Sequence, residues 1–186
     1  MTGKIFIISG PAGVGKDTII KETLKNHPDF CMVKSYTTRP IRKSDEANNR
    51  IFVSKEIFKN MVKNNKMLEW AKVHNWYYGR KKDDIVRHVN KGKNIIIEVN
   101  TEGTKTYKKI LPNTVTIFIK YKDVADFEKR LRTNRPEITE EELKIRCESM
   151  TKELEQEKYY DYSVINYENR LEKTIKEVEK IILENK

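Results

Sequence analysis

Short apolar runs alternate along the chain with stretches in which apolar residues recur at helical spacing. A continuous apolar run is typical of a strand buried on both faces of a parallel sheet, whereas helical spacing indicates an amphipathic helix. The predicted strands are residues 5–8, 51–54, 94–100, 115–119 and 162–166, and the predicted helices are residues 18–25, 55–65, 84–91, 103–110, 123–157 and 171–183. This alternation predicts an α/β fold, a parallel sheet with helices on both faces.

Residues with known effects at helix ends mark several boundaries. Pro28 follows the first predicted helix and cannot continue it, and Ser54 is placed to cap the next one. Residues 133–136, Thr-Asn-Arg-Pro, interrupt the densely charged segment 123–157. That segment therefore predicts two helices joined by a turn.

Residues 10–18 read Gly-Pro-Ala-Gly-Val-Gly-Lys-Asp-Thr and lie between the first predicted strand and the first predicted helix. A strand, a glycine-rich loop and a helix in this order are the context that a phosphate-binding loop requires. Glycines let the backbone turn several N–H groups toward one anion, and the helix N-terminus adds about half a positive charge. Lys16 supplies a mobile full charge for the β- and γ-phosphates. The loop therefore predicts a nucleotide-binding site.

The residue after Lys16 departs from the usual loop pattern, which has Ser or Thr at this position as a ligand to Mg²⁺. Here the residue is Asp17. Either Asp17 reaches the metal, directly or through water, or Thr18 and Ser9 supply the hydroxyl groups. The sequence leaves both alternatives open and predicts a Mg²⁺ site with Asp17 and Thr18 as candidate ligands.

Composition and charge exclude several classes of protein. The formal charge of +10, from 38 basic and 28 acidic residues, would attract anionic ligands. The lysines are scattered and form no block with interleaved aromatic residues, which argues against nucleic-acid binding. No apolar run approaches the length of a membrane span and no signal-like N-terminus is present, so we expect no membrane contact and a cytoplasmic location. Cys31 and Cys147 are far apart and lack metal-ligand spacing, so we predict packed thiols.

A second candidate anion site follows the loop along the chain. Arg39 and Arg42 lie three residues apart, and the planar fork of each guanidinium suits the oxygens of a phosphate. Glu69 lies inside an apolar stretch, where it is either an ordinary surface residue or a buried carboxylate that needs a donor, such as the N–H groups of a nucleobase. Tyr78 belongs to an aromatic cluster that either packs in the core or donates its hydroxyl to a phosphate.

Further polar residues collect near the predicted sheet edge and in the charged helical segment. Ligands of open α/β sheets bind outside the carboxyl ends of the strands, which is where Glu98 and Asn100 fall. The arginines of segment 123–157 either form i,i+4 ion pairs on a solvated helical hairpin or belong to a lid that carries them onto ATP. They are Arg130, Arg132, Arg135 and Arg146.

Taken in order, these motifs resemble the guanylate kinase family over essentially the whole chain. The resemblance is carried by GPAGVGKDT, SYTTRPIR, IFVS before a helix, MLEWAKVHNWYYG, IIIEVN, and RLR…IRC before YDYSVIN. It implies a nucleoside monophosphate kinase with a P-loop fold and a single guanylate-kinase-like domain. The implied parts are a core (1–34, 81–125 and 153–186), a monophosphate-binding insert (35–80) and a helical lid (126–152).

The resemblance also implies transfer of phosphate from ATP, with Mg²⁺, to GMP. Lys16 and three lid arginines, Arg130, Arg135 and Arg146, would stabilise the transferring phosphoryl group. ATP would contact Gly10, Pro11, Ala12, Gly13, Val14, Gly15, Lys16, Asp17, Thr18 and Asn166. GMP would contact Ser35, Arg39, Arg42, Glu69, Tyr78 and Asn100, with Ser35 and Glu69 reading the guanine.

The chain departs from the family pattern mainly on the acceptor side. Arg50 stands where the family usually has tyrosine, and Arg80 stands where it has serine or threonine. Glu98 and Asn100 replace two aspartates. With Asp17 after Lys16, the phosphate-binding loop also resembles that of a related branch, the ribose 1,5-bisphosphate phosphokinases. A sugar-bisphosphate acceptor and a non-catalytic interaction module therefore stay open as alternatives to GMP kinase activity, and the oligomeric state is not predicted.

Overall fold

Two β-sheets organise the protein, which is described by a computed structural model over residues 3–41, 50–73 and 75–186. In these ranges the strands are β1 (Ile5–Ser9), β2 (Phe30–Met32), β3 (Ser35–Thr37), β4 (Arg50–Phe52), β5 (Met67–Val73), β6 (Trp76–Lys81), β7 (Asn94–Glu98), β8 (Val115–Lys120) and β9 (Tyr162–Ile165). The helices are α1 (Lys16–Asn26), α2 (Lys55–Lys63), α3 (Lys82–Asn90), α4 (Thr101–Ile110), α5 (Val124–Asn134), α6 (Glu140–Leu154) and α7 (Leu171–Glu184), with a 3-10 helix at Glu155–Tyr159.

The larger sheet has five parallel strands in the order β2-β7-β1-β8-β9. Successive residues of β1 alternate between its faces, and all of them are buried. Phe6 and Ile8 pack in a cluster with side chains of α1 and α7, whereas Ile5 and Ile7 pack with side chains of α3 and α4. The predicted parallel sheet with helices on both faces is therefore confirmed.

The smaller sheet has four strands in the order β4-β3-β6-β5. β3 pairs in parallel with β4 and antiparallel with β6, and β5 and β6 form an antiparallel hairpin. Phe58 and Met61 of α2 cover one face of the sheet, where they cluster with Tyr36. Of these strands the hydrophobic pattern predicted only β4, because charged residues interrupt β5 and β6, and β3 is a three-residue segment in which Ser35 and Thr37 flank one aromatic residue.

The predicted helix boundaries agree with the capping groups. The Ser54 hydroxyl accepts a hydrogen bond from the Ile57 N–H at 3.2 Å and so caps α2. The charged segment divides as predicted, since α5 ends at Asn134 and Thr139 caps α6. Across the described ranges, no helix has the length and apolar character needed to cross a bilayer.

Candidate active site

The phosphate-binding loop connects β1 to α1 in a backbone conformation that requires glycine. Gly10, Gly13 and Gly15 have φ angles of 143°, 77° and 97°, a region that other residues rarely adopt. A Cβ atom on Gly10 would lie 2.0 Å from the carbonyl oxygen of Ile119 in β8. The loop therefore lies directly against the sheet and leads into the N-terminus of α1, where unpaired N–H groups favour an anion.

Lys16 folds back over this loop. Its Nζ donates hydrogen bonds to the carbonyl oxygens of Gly10 and Pro11, each at 2.9 Å. The same nitrogen lies 3.7 Å from Oε1 of Glu98, at the carboxyl end of β7. The ammonium group is thus held among oxygen atoms at the point where the phosphates of a nucleotide would enter.

Two carboxylates lie beside this lysine. The side chains of Asp17 and Glu98 lie close together, and burial together with the charge of Asp17 raises the pKa of Glu98, while Lys16 opposes the shift. Carboxylates in this number suit Mg²⁺, which keeps most of its ligands as water and phosphate oxygens. In the described part of the chain no group of three or more His, Cys, Asp or Glu could hold a metal ion.

A cavity of about 280 Å³ lies on the other side of the loop. Thr18 and Asn166 both line it. The buried Asn166 amide donates to the carbonyl oxygen of Val14 at 2.8 Å, and its Oδ1 accepts from the Thr174 hydroxyl at 3.0 Å. Asn166 therefore fixes the loop from the end of β9, next to a space open to a ligand.

The structure brings only two of the three predicted catalytic arginines together. Arg135 and Arg146 meet at Oε1 of Glu142, at 3.9 Å and 2.7 Å. Arg130 lies apart from them and donates two hydrogen bonds to Asp126, at 3.0 Å and 2.8 Å. Its guanidinium also donates to the backbone carbonyl of residue 166 at 2.7 Å, beside the cavity.

The candidate acceptor residues share one face of the smaller sheet. Ser35 pairs with Arg50, and Glu69 pairs with Arg80. Tyr36 of β3 pairs with Gly79 of β6, so the next residues along, Ser35 and Arg80, lie side by side and join the two pairs into one row. Tyr78 lies two residues before Arg80 and points to the same face, opposite the one that α2 covers. The Arg50 guanidinium stacks over the Tyr78 ring at 5.8 Å.

The other predicted acceptor residues have different surroundings. Arg39 is buried, with its guanidinium 5.6 Å from the centre of the Phe52 ring. Asn100 caps α4, because its Oδ1 accepts a hydrogen bond from the Gly103 N–H at 2.9 Å. Arg42 lies outside the described residues.

In the structure, the hydrogen-bond donor to Glu69 is a side chain of the protein itself and not a nucleobase. Arg80 Nη1 donates to Glu69 Oε1 at 3.1 Å, and both side chains are 8% exposed. The same guanidinium donates through Nε to the carbonyl oxygen of Val33 at 3.3 Å and through Nη2 to that of Glu98 at 2.7 Å. Burial raises the pKa of Glu69 and the charge of Arg80 opposes the shift. Glu69 is therefore a buried, paired carboxylate.

Comparison with known proteins identifies the family. The sequence matches the family model described as guanylate kinase over residues 2–185. The chain belongs to the guanylate kinase family. It is 36% identical over 182 residues to a guanylate kinase of Rickettsia prowazekii (97% of this chain, 91% of the relative) and 35% identical over 167 residues to one of Thermotoga maritima (89% and 80%). A crystal structure of guanylate kinase from Anaplasma phagocytophilum is similar to this structure, with a TM-score of 0.77 at 22% sequence identity. The similarity covers 98% of this chain and 86% of the other chain, and it supports the P-loop kinase fold.

Within this guanylate kinase fold, two of the departures from the family pattern lie in one row. Arg50 and Arg80 flank Ser35 on the acceptor face, and Arg80 contacts Glu69 directly. The sequence pattern marked these positions as unusual, but their contacts depend on strand pairing and could not be predicted from it.

One further charged residue at the loop was missed by the sequence analysis. Glu153, near the end of α6, lies close to the loop: burial raises its pKa, while the charge of Lys16 and the nearby Ala12 backbone oppose the shift. It lies in a segment where acidic residues are frequent, so its sequence position carries no distinguishing signal.

Proposed function

We propose that this member of the guanylate kinase family is an enzyme that transfers the γ-phosphoryl group of ATP to GMP, giving ADP and GDP. The observation that carries the proposal is a glycine-rich phosphate-binding loop with Lys16 in a chain that matches guanylate kinases over residues 2–185. The larger sheet and its helices would form the core, residues 35–80 the acceptor insert, and residues 126–152 the lid.

On the donor side, the loop N–H groups and Lys16 would hold the β- and γ-phosphates of ATP. The cavity beside Asn166 would receive the adenosine part, since it adjoins the loop at Gly15 and Thr18. Lys16 would exchange its two carbonyl contacts for phosphate oxygens. Because a charged donor forms stronger hydrogen bonds with phosphate than with a neutral carbonyl, this exchange favours nucleotide binding.

Mg²⁺ would be held with the ATP phosphates by Asp17 and Glu98. Their proximity to each other supports this pair, whereas Thr18 lines the cavity beside Asn166 and is the weaker candidate. The bound cation would neutralise charge on the phosphates. Its arrival would also relieve the repulsion between the two carboxylates.

In phosphoryl transfer the protein mainly positions the substrates and stabilises charge on the equatorial oxygens. Lys16, Arg135 and Arg146 would supply that positive charge, with Arg130 near the adenosine cavity. Glu142 pairs with Arg135 and Arg146 and would keep them together until ATP replaces it. Closure of the lid would exclude water, so that GMP and not water accepts the phosphoryl group.

On the acceptor side, Arg39, Arg42 and Tyr78 would hold the phosphate of GMP, while Ser35 and Glu69 would read the guanine. Asn100 uses its carbonyl oxygen to cap α4, which leaves its amide N–H groups as the donors that could face GMP.

Replacement of Arg50 by alanine is expected to raise the KM for GMP about tenfold with a much smaller change in kcat, because one charge-assisted phosphate contact is lost. Arg50 lies over the Tyr78 ring, and its positive charge opposes the upward shift in the pKa of Glu98. A cation in this position supports a phosphate-binding role. Steady-state kinetics of Arg50→Ala would measure the effect, with Lys59→Ala on the exposed side of α2 as the control. An unchanged KM for GMP in Arg50→Ala would remove Arg50 from the acceptor site.

The proposed reaction is tested by ADP formation from ATP·Mg²⁺ with GMP, AMP, UMP, CMP and ribose 1,5-bisphosphate offered separately. We expect turnover with GMP and little with the other nucleotides. Turnover with ribose 1,5-bisphosphate and not with GMP would assign the chain to the sugar-phosphate alternative. Failure to bind ATP·Mg²⁺ would indicate a non-catalytic interaction module.

A further inference from the structure

We propose that Arg80 competes with guanine for the Glu69 carboxylate and thereby sets how tightly and how selectively the enzyme takes its acceptor. The inference rests on the proposed function, in which Glu69 reads the guanine of GMP. It assigns to Arg80 a role in specificity: in the nucleotide-free protein the guanidinium occupies part of the base-binding position.

The chemistry of the two donors is similar. A guanidinium presents parallel N–H groups that match the two oxygens of a carboxylate. Guanine presents its N1–H and 2-amino N–H groups side by side in nearly the same arrangement. Arg80 Nη1 already donates to Glu69 Oε1 at 3.1 Å. Each carboxylate oxygen can accept two hydrogen bonds, so Oε1 can still accept a guanine N–H, but it would then share its acceptor capacity with the cationic guanidinium.

Burial makes the competition strong. Both side chains are 8% exposed, so water screens their interaction far less than it screens a surface ion pair. Guanine therefore binds both oxygens at full strength only when it displaces a charge-assisted hydrogen bond inside the protein. The affinity for GMP is lowered by part of the free energy of that bond.

Arg80 can nevertheless release Glu69 and keep most of its hydrogen bonds. Its bonds to the carbonyl oxygens of Val33 and Glu98, at 3.3 Å and 2.7 Å, do not involve Glu69. The hydroxyl of Tyr107 offers a further acceptor: it is fully buried, makes no hydrogen bond of ordinary geometry within the described residues, and lies close to the Arg80 guanidinium. These contacts give the guanidinium somewhere to remain while guanine is bound.

The test compares GMP with IMP in Arg80→Ser. Hypoxanthine keeps the N1–H group but lacks the 2-amino group, so only guanine has a second hydrogen bond to Glu69 that becomes stronger when Arg80 is removed. We expect the KM for GMP to fall about tenfold in Arg80→Ser, the strength of one charge-assisted hydrogen bond. The ratio of kcat/KM for GMP over IMP should rise by a similar factor. A purely structural role for Arg80 would shift both nucleotides equally.

Arg87→Ser is the matched control, because Arg87 lies on the exposed side of α3 and its loss removes the same charge. It should leave both nucleotides unaffected. Arg80→Lys covers the case in which Arg80→Ser does not fold, since an ammonium keeps the charge but cannot make all three contacts, and it should lower the KM for GMP by a smaller factor. An unchanged or higher KM for GMP in the folded variant, or equal shifts for GMP and IMP, would overturn the proposal.

Equilibrium binding separates this proposal from the proposed function. Isothermal titration of GMP and IMP into the wild type and Arg80→Ser, without ATP, reports on Arg80 alone. If no form of the protein phosphorylates GMP, the proposed function fails, and tighter binding of GMP to Arg80→Ser would still support the competition. Equal or weaker binding of GMP to the variant would reject it.

Discussion

Lys16→Ala is expected to lower kcat by about a thousandfold, the effect typical of removing a charge that stabilises a transition state. The ammonium is held by the carbonyl oxygens of Gly10 and Pro11 and by Glu98. The two carbonyl contacts lie within the loop, and the third is an ion pair with the end of β7, so none of them joins core elements by apolar packing. Alanine should therefore leave the fold intact while removing the positive charge nearest to the transferring phosphoryl group. A coupled assay for ADP, together with circular dichroism, would measure both properties.

Lys21→Ala provides the control for this experiment, because Lys21 is an exposed residue of the same helix. It should retain wild-type turnover. Normal activity in Lys16→Ala would remove the phosphate-binding loop from the mechanism. A loss of folded structure would instead call for Lys16→Met, which keeps the aliphatic part of the side chain.

Glu69→Ala is expected to lower the free energy of unfolding by about 3 kcal/mol, because it leaves the buried guanidinium of Arg80 without its carboxylate. It should also reduce the preference for GMP over AMP about tenfold or more. Adenine has no N1–H to donate and meets the carboxylate with a lone pair, so the loss of Glu69 removes an attraction to GMP and a repulsion of AMP together. Chemical denaturation and kinetics with the two nucleotides would measure the two effects.

The double variant Glu69→Ala with Arg80→Met distinguishes the two causes. It removes the buried charge as well as the carboxylate, so much of the lost stability should return. The preference for GMP should stay low, because the guanine-reading group is still absent. Unchanged selectivity in Glu69→Ala would show that Glu69 does not read the base.

The central strands of the larger sheet were predictable because they are buried on both faces, whereas the short, partly exposed edge strand β2 was missed. A run such as residues 5–8 is apolar at every position, and in so short a segment such a run favours a strand in the middle of a sheet. The phosphate-binding loop was predictable for a different reason: glycines at fixed spacing meet a local backbone requirement. The family assignment drew on both and is confirmed by the match over residues 2–185.

The acceptor face was less predictable because its chemistry depends on residues distant in sequence. Arg80 contacts Glu69, Val33 and Glu98, which lie 11, 47 and 18 positions away. The hairpin of β5 and β6 was missed because Glu69 and Arg80 interrupt the apolar alternation, although these two residues pair with each other across the strands. The pairing of Arg135 and Arg146 through Glu142 depends in the same way on the packing of α5 against α6.

The phosphate-binding loop is anchored at both of its ends. Gly10 lies against the backbone of β8 too closely for any side chain, and the Asn166 amide holds the carbonyl of Val14 from β9. A cradle fixed in this way is preorganised, and little of the free energy of binding ATP is lost in ordering it. If residues 126–152 form the lid proposed above, we expect the conformational entropy lost in forming the complete complex to come mainly from this segment and the proposed acceptor face. These parts, and not the loop, would then govern how the two substrates influence each other's affinity.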